Sequence, residues 1–293
     1  MLQLAKLFGG VVAPTTLLTS LLLFFGASYA TVYFDHFGVD TSLLGLTTQD
    51  YLIFSIDGLF VPLAAIACAG LLVLWAHAML RARLAAGYTP RALRVLVPVL
   101  ALVGFVLAVA GLSSVFVRTA IGEYLAVAPL CLATGVLLLV YAVHLRGSLT
   151  AAEHGADLAR RPEWMAVAEW AGVFVLVGLS LFWAVSDYSA AVGRGRANQV
   201  AADLPTDPQA LLYSERSLSL AAPGVREVRC QDPDAAYRFR YDGLKLMLQS
   251  GDQYLFVPAT WSTSDGVAIV LPRTDTLRLE FRPADGAVAP PTC

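Results

Sequence analysis

One apolar stretch, residues 160–187, joins two parts of the sequence that differ in composition. It begins with Arg160 and Arg161 and carries Trp164 and Trp183, which are nineteen residues apart. In a helix with a rise of ~1.5 Å per residue, the two tryptophans lie about 29 Å apart, close to the ~30 Å thickness of a bilayer's hydrocarbon core. Tryptophan is enriched at both membrane interfaces, and arginine on the cytoplasmic side. The stretch therefore predicts a transmembrane helix.

The composition favours a membrane protein with several such helices. Hydrophobic residues make up 57% of the chain and charged residues only 14%, against about 25% charged in a typical soluble domain. Five stretches reach the ~20 apolar residues that a spanning helix needs. We place the spans at about residues 11–33, 52–80, 95–117, 121–145 and 164–188. Gly104, Ala108 and Gly111 recur along the third span and predict a close helix contact.

A secretory signal peptide is the alternative interpretation of the first span. Ser28-Tyr29-Ala30 resembles a cleavage site with small residues at its ends. The apolar run that precedes it is longer than the 7–15 residues of a signal core. We therefore favour a helix that is retained in the membrane.

The loops between the spans predict the orientation of the chain. Residues 81–94 carry four arginines and no acidic residue, whereas residues 34–51 carry three aspartates and no Lys or Arg. The fourth loop again holds arginine, at Arg146, Arg160 and Arg161. Because Lys and Arg are enriched in cytoplasmic loops, we expect a plasma-membrane protein with its N-terminus in the cytoplasm. Everything after residue 190 is then extracytoplasmic.

Beyond Tyr188 the hydrophobic pattern changes from the helical period to alternation. We assign residues 191–208 to a stalk and linker, in which the fifth helix continues and is interrupted at Gly193-Arg194-Gly195. Residues 209–293 are predicted to form a small antiparallel β domain. Asp242-Gly243 separates two alternating segments and predicts a two-residue hairpin turn there. Further strands are expected at residues 211–214, 253–258, 267–271 and 276–281.

The predicted fold class is therefore an α-helical membrane bundle of five transmembrane helices followed by a small antiparallel β domain. The four cysteines divide between these two parts. Cys68 and Cys131 lie within spans and are expected to act as small packing residues. Cys230 and Cys293 lie in the part placed outside the cytoplasm, where disulfides persist. We predict a bridge between them that holds the C-terminus on the β domain, and two free thiols are the alternative.

The sequence carries no enzymatic signature that we can identify. Residues 155–293 contain no histidine, which argues against a Ser-His-Asp or Cys-His nucleophile and against a histidine metal site in the β domain. Gly193-Arg194-Gly195-Arg196 lacks the spacing of a phosphate-binding loop. We expect no enzyme, no cofactor and no metal. No basic cluster with interleaved aromatic residues is present, so a nucleic-acid partner is not expected.

Ionisable residues within the spans are the remaining candidates for a functional site, because charges in lipid are costly. They are Asp57, Arg118, Glu123 and Asp187, expected near the outer face, and His77, His144 and Glu169, expected near the inner face. One interpretation is that all of them are interfacial and reach the headgroups. The sharper interpretation pairs Asp57 with Arg118. It also gathers His77, His144 and Glu169 into a polar cluster that faces the bundle.

Several segments carry a resemblance to known sequences. They are residues 237–250, 251–258 and 267–272 in the β domain and residues 38–52 in the first outer loop. In these segments the chain resembles uncharacterised actinobacterial multi-spanning membrane proteins with a small C-terminal extracytoplasmic β domain. The resemblance covers most of the chain. It implies no activity, cofactor or catalytic residue.

Two functions fit these features. In the first, which we favour, the membrane helices display the β domain outside the cytoplasm for sensing or protein interaction, and its edge strands are open to a partner strand. In the second, the chain is a subunit of a homo-oligomeric ion channel or transporter, with the Asp57–Arg118 region as an outer constriction. The expected partners are the lipid bilayer, further copies of the chain and an extracytoplasmic protein.

Overall fold

The computed structural model describes residues 2–85, 91–116, 126–154, 163–232 and 234–284. Within these residues it contains five α-helices, each with a segment long and apolar enough to cross a membrane. They are α1 Leu2–Asp35, α2 Thr48–Ala85, α3 Arg91–Phe116, α4 Val127–His154 and α5 Glu163–Asp203. A short 3-10 helix, Thr41–Leu44, lies between α1 and α2. The protein is therefore a polytopic membrane protein, as the sequence predicts.

Three of the helices, α1, α2 and α5, are longer than the other two. With 26 and 28 residues, α3 and α4 are about 39 and 42 Å long at ~1.5 Å per residue. With 34, 38 and 41 residues, α1, α2 and α5 are about 51, 57 and 61 Å long. A bilayer's hydrocarbon core needs only ~30 Å. Each of these three helices is therefore longer than the thickness of the hydrocarbon core by about 20 Å or more.

The chain forms two compact units, one of Met1–Gly58 with Ser189–Cys293 and the other of Leu59–Tyr188. In the second unit, α3 and α4 pack at small residues. A Cβ built on Gly104 would lie 3.0 Å from the carbonyl oxygen of Gly135, and one on Gly135 would lie 2.4 Å from the backbone nitrogen of Ala108. The two backbones thus approach as closely as glycine allows.

In the first unit, glycines also let helices pack closely. A Cβ on Gly26 of α1 would lie 1.8 Å from the carbonyl oxygen of Tyr51 on α2, and one on Gly193 of α5 would lie 2.7 Å from that of Tyr29 on α1. The hydroxyl of Ser189 donates a hydrogen bond of 2.9 Å to the carbonyl of Phe25. The end of α1, the start of α2 and the end of α5 therefore form one closely packed group.

The C-terminal part is a six-stranded antiparallel sheet, which confirms the predicted fold class. Its strands are β1 Gln209–Ser214, β2 Arg226–Arg229, β3 Phe239–Ser250, β4 Gln253–Pro258, β5 Ile269–Pro272 and β6 Leu277–Arg282. The strand order is β5-β4-β3-β1-β6, and β2 pairs with β3. One face of the sheet carries its own core, made of Ala210, Leu212, Tyr241, Leu244, Phe256 and Ile269.

The predicted hairpin turn at Asp242-Gly243 was wrong, because β3 continues through both residues. Gly243 has a φ of +88°. The pairing of β1 with β3 shifts at this point, so that Asp242 and Gly243 together face the single residue Leu211. This is a β-bulge, in which glycine supplies the left-handed conformation that a tight turn also requires. Asp242-Gly243 therefore bends a continuous strand, whereas the predicted hairpin turn would have reversed the direction of the chain.

The hairpin of β3 with β4 turns at Gly251-Asp252, since Ser250 pairs with Gln253, and Gly251 has a φ of +51°. One other local prediction also needs correction. The expected interruption of the fifth helix at Gly193-Arg194-Gly195 was wrong, because α5 runs unbroken to Asp203. Gly193 is required there for the close approach of α1.

Candidate functional site

The face of the sheet formed by β4 and the second half of β3 packs against the ends of helices. Leu255 on β4 is buried with Phe34 at the end of α1. Val257, on the same face, is buried with Phe37, just after α1, and with Leu204, just after α5. Burying a side chain of this size contributes about 1.5–3 kcal/mol. The sheet is therefore fixed to the helices by two apolar clusters, and we call this contact region the junction.

Aromatic rings form a continuous column through the junction. Phe54 of α2 stacks on Tyr29 of α1 with 5.6 Å between ring centroids, and Tyr29 stacks on Tyr33 at 6.0 Å. Tyr33 contacts Phe37 at 5.6 Å, and Phe37 contacts Trp261, in the segment after β4, at 4.8 Å. Such pairs contribute about 0.5–1.5 kcal/mol each beyond the area that they bury. The column connects α2 and α1 to the sheet domain without a gap.

Two nitrogen atoms in the junction are buried without a hydrogen-bond partner. Among the described residues these are Nε2 of His36 and Nε1 of Trp261, and the two rings lie 5.5 Å apart. Burying an unpaired polar group costs about 1–3 kcal/mol. Both atoms would regain hydrogen bonds to water if the sheet moved away from α1. Alongside the column, the junction therefore contains two buried nitrogen atoms that no described protein group satisfies.

A carboxylate at the start of α2 ties the β3–β4 hairpin to that helix. Asp50 accepts hydrogen bonds at one oxygen from the Thr47 backbone N–H (2.8 Å) and the Thr47 hydroxyl (2.7 Å), as in a capping box. The same oxygen accepts a hydrogen bond of 2.5 Å from the hydroxyl of buried Ser250. A Cβ on Gly251 would lie 2.8 Å from the carbonyl oxygen of Gly45. The hairpin tip therefore sits directly on the loop that leads into α2.

Lys245 connects the sheet to the turn between α5 and β1. Its side chain is buried, and its Nζ donates a hydrogen bond to the backbone carbonyl of Asp207. Burial lowers the pKa of Lys245, and the carboxylate of Asp207 opposes that shift. With Asp50 and the aromatic column, this contact means that α1, α2 and α5 are each attached to the sheet.

The opposite face of the sheet is covered by an irregular segment, residues 215–225, which we call the strap. The hydroxyl of Tyr241, a fully buried residue, accepts a hydrogen bond of 2.6 Å from the backbone N–H of Leu218 and donates one of 2.7 Å to Glu227. Glu227 also accepts a hydrogen bond of 2.8 Å from the hydroxyl of Ser217. Burial and the hydrogen bond to Glu227 raise the pKa of Tyr241 above its ordinary value of 10.0. Tyr241 thus holds the strap over the core.

A charged group lies on the junction-side face of the sheet, on β2 and the first half of β3. Arg240 is only 2% exposed, and its Nε and Nη2 donate to the two carboxylate oxygens of Asp242 at 2.9 and 3.1 Å. Arg226 contacts the same carboxylate at 3.2 Å. Removing one partner of a buried pair leaves the other charge uncompensated and costs about 3–5 kcal/mol. The geometry indicates a structural role, since the groups satisfy one another.

The ionisable residues predicted within the spans are only partly described. Asp57 is exposed on α2. Arg118 and Glu123 lie outside the described residues, so the predicted pair of Asp57 with Arg118 stays a prediction. Asp187 is half-buried on α5.

The inner polar residues lie on three helices of the second unit. The ring of His77 lies 6.0 Å from that of Tyr141, one turn before His144 on α4. His144 and Glu169 are both exposed. The predicted cluster of His77, His144 and Glu169 stays a prediction, as does its interfacial alternative.

The cysteines of the spans are free thiols, Cys68 exposed and Cys131 half-buried. Cys230 is buried at the end of β2. Cys293 lies outside the described residues, so the Cys230–Cys293 bridge stays a prediction.

Sequence reasoning did not single out the residues of the junction. For some of these residues the neighbouring sequence carries a recognisable pattern. Thr47-Thr48-Gln49-Asp50 fits a capping box, and Tyr29, Tyr33 and Phe37 recur every four residues, which places their side chains on one face of a helix. Nothing local identifies their partners Ser250 and Trp261 on the sheet domain.

Comparison with known proteins adds no further assignment. Among the described residues, no three His, Cys, Asp or Glu side chains come together in a way that could hold a metal ion. No protein-family model, curated protein or solved structure matches the chain. The resemblance to actinobacterial membrane proteins stays a prediction. The fold and the junction define a class, a polytopic membrane protein whose C-terminal sheet is fixed to the ends of its own helices.

Proposed function

We propose that the protein is a plasma-membrane protein that uses its C-terminal sheet outside the cytoplasm for sensing or for binding another protein, without catalysis. The orientation rests on the arginines of residues 81–94, which are typical of a cytoplasmic loop. In that orientation the N-terminus is cytoplasmic and the sheet is extracytoplasmic.

The junction is the observation that carries this proposal. A sheet domain that only had to be displayed outside the membrane could be joined to the helices by a flexible linker alone. Here the sheet contacts α1 through Phe34 and Phe37, α2 through Asp50, and the end of α5 through Leu204. A partner that binds the sheet and favours one position of it would change the free energy of these helix contacts.

The unpaired nitrogens of the junction support a sensing role over a purely rigid one. Separation of His36 from Trp261 would return two buried polar atoms to water, which offsets about 1–3 kcal/mol per atom of the cost of opening. Ligands shift a protein between states that differ by a few kcal/mol. A partner that binds better to the open state would therefore have less of the opening cost to supply.

The orientation is tested by cysteine labelling of intact cells. On a background without native exposed thiols, Ser264→Cys lies in an exposed turn of the sheet domain and Ala82→Cys lies near the end of α2. We expect a membrane-impermeant maleimide to label the first variant in intact cells and the second only after permeabilisation. The reverse pattern would place the sheet in the cytoplasm.

The interaction is tested by photo-crosslinking in the same cells. A photoreactive amino acid at Val267, which is 43% exposed on the sheet domain, should yield discrete protein adducts. The matched control is Phe174, which is 79% exposed on the apolar surface of α5 and should react with lipid. Lipid or water adducts alone at Val267 and at other exposed sheet positions would count against a protein partner. Ion flux through proteoliposomes would favour the channel or transporter alternative instead.

A further inference from the structure

The strand β6 forms one edge of the sheet. It pairs with β1, and within residues 209–284, as far as the structure describes them, no strand lies on its other side. Phe281 is 58% exposed and the side chain of Arg278 is 57% exposed. An open edge presents backbone N–H and C=O groups to which another strand can bind. The side chains along β6 therefore indicate which kind of strand can pair with this edge.

The direction of the open backbone groups follows from one hydrogen bond. The N–H of Glu215 donates to the carbonyl of Thr276 at 3.3 Å, so the backbone groups of Thr276 face β1. In an antiparallel strand this direction alternates from residue to residue. The backbone groups of Leu279 and Phe281 therefore point to the open edge. Their side chains lie on the face of the sheet that carries the core, since Leu279 pairs with Leu212 and Phe281 with Ala210.

We propose that this edge binds the same edge of a second copy of the chain. The two β6 strands would pair antiparallel about a two-fold axis at Leu279, which gives one continuous sheet across both copies. In this register Leu279 faces the partner's Leu279, and Leu277 faces the partner's Phe281. Arg278, which forms an ion pair with Glu280 of its own strand, also faces the partner's Glu280, and the symmetry repeats this arrangement on the other side of the axis. Apolar residues meet on one face and opposite charges on the other.

Neighbouring registers lack this complementarity. Directly opposed residues in a strand pair place their side chains on the same face. A shift that moves the axis by half a residue would set Leu279 against the partner's Glu280, whose backbone groups face β1, so the two strands could not form a regular hydrogen-bond ladder. An axis at Glu280 would set Glu280 against the partner's Glu280 and Arg278 against the partner's Arg282, and like charges directly opposite destabilise a sheet. An axis at Phe281 would also set Glu280 against the partner's Arg282, but it overlaps only three residues of β6 in each copy, against five for the axis at Leu279. The sequence Leu-Arg-Leu-Glu-Phe-Arg of β6 is thus most fully self-complementary with the axis at Leu279.

Self-complementarity is why we assign the edge to a second copy and not to a different protein. A heterologous strand would require only an open edge, with no constraint on the order of Arg278 and Glu280. The competing explanation is protective, because charges on an edge strand also discourage unwanted pairing. The two explanations predict opposite results for the full-length protein in membranes.

Cross-linking tests the register directly. Leu279→Cys in the full-length protein should form an intermolecular disulfide on mild oxidation of membranes, and peptide mapping should show residue 279 joined to residue 279. Thr274→Cys, in the exposed turn just before β6, is the control and should stay uncrosslinked. Equal cross-linking at both positions, or none at residue 279, would overturn the proposal.

Charge exchange tests the ion pairs. Arg278→Glu or Glu280→Arg alone should weaken the dimer in detergent about tenfold, because the two cross-strand pairs, and the pair within each strand, become repulsive. The double exchange should restore the dimer. Arg216→Glu makes the same charge change at an exposed position outside β6 and should leave the dimer unchanged.

A melting curve for each variant separates misfolding from loss of the dimer. A protein that is monomeric at every concentration, or single exchanges that leave the dimer intact, would contradict the proposal. The result does not depend on the sensing role, since a dimer can form whether or not another protein binds the sheet.

Discussion

The hydroxyl of Ser250 donates a hydrogen bond of 2.5 Å to the carboxylate of Asp50, a residue 200 positions earlier in the chain. The bond joins the tip of a β-hairpin to the first turn of a helix that is long and apolar enough to span a membrane. Because Asp50 also accepts both hydrogen bonds from Thr47, its carboxylate serves the helix and the sheet at once. A substitution in the first turn of α2 is therefore expected to affect the β3–β4 hairpin, and a substitution in the hairpin to affect the helix.

Removing the hydroxyl of Ser250 should destabilise the full-length protein. Ser250→Ala should lower the free energy of unfolding by about 1–3 kcal/mol, because hydrogen bonds to charged groups are stronger than neutral ones. Thermal unfolding in detergent measures the change. Ser264→Ala, in an exposed turn, is the control and should change stability by less than about 0.5 kcal/mol.

A double-mutant cycle extends this prediction to the pair. Asp50→Asn combined with Ser250→Ala should cost less than the sum of the two single changes, since both remove the same bond. Strictly additive effects would mean that the contact contributes nothing to stability.

The glycine of the bulge should not tolerate a side chain. Gly243 has a φ of +88°, and a Cβ there would lie 2.2 Å from the carbonyl oxygen of Gly224. Gly243→Ala should therefore cost at least ~1–3 kcal/mol from backbone strain alone, and the steric contact adds to this. Gly195→Ala is the matched control, because a Cβ at that helical position meets nothing within 4 Å and should stabilise the helix by about 0.5–1 kcal/mol. Equal melting temperatures for the two variants would contradict the bulge.

The strap predicts a pH dependence. Since burial and Glu227 raise the pKa of Tyr241, the folded state resists its ionisation more than the unfolded state does. The stability that this group contributes is fully present below the unfolded pKa of about 10 and is lost as the pH rises through the higher folded pKa. Tyr241→Phe should lower stability by about 1–3 kcal/mol near neutral pH.

The same variant should lose less further stability than the wild type above pH ~10. The difference between the two proteins at each pH cancels titrations that they share, such as those of Tyr213 and Lys245. Parallel curves for the two proteins between neutral and alkaline pH would show that Tyr241 does not titrate in this way.

Most of the secondary structure could be predicted from the sequence because its signals are local. Apolar stretches of sufficient length located the five spans, and alternation located β1, β4, β5 and β6. The Asp242-Gly243 signal was ambiguous, since a bulge and a tight turn both need a residue with positive φ. The four-residue strand β2 was not predicted, because its sequence Arg-Glu-Val-Arg carries almost no hydrophobic alternation.

The junction could not be predicted because its contacts are long-range. Thr47 and Asp50 cap a helix whether or not a serine approaches them, so the capping signal does not identify Ser250. Phe37 looks like an ordinary apolar residue near a membrane surface until Trp261 is placed against it at 4.8 Å. Such pairs depend on how the strands fold back, which a single sequence does not specify.

The sheet is fixed to the helices by more than the covalent chain. A specific protease site inserted between Pro205 and Thr206, which are exposed just after α5, tests this claim on the full-length protein in membranes. Complete cleavage there cuts the only peptide link between the helices and the strands. We predict that the C-terminal fragment then stays with the membrane fraction and is released only by denaturant. Its release into buffer under native conditions would contradict the account.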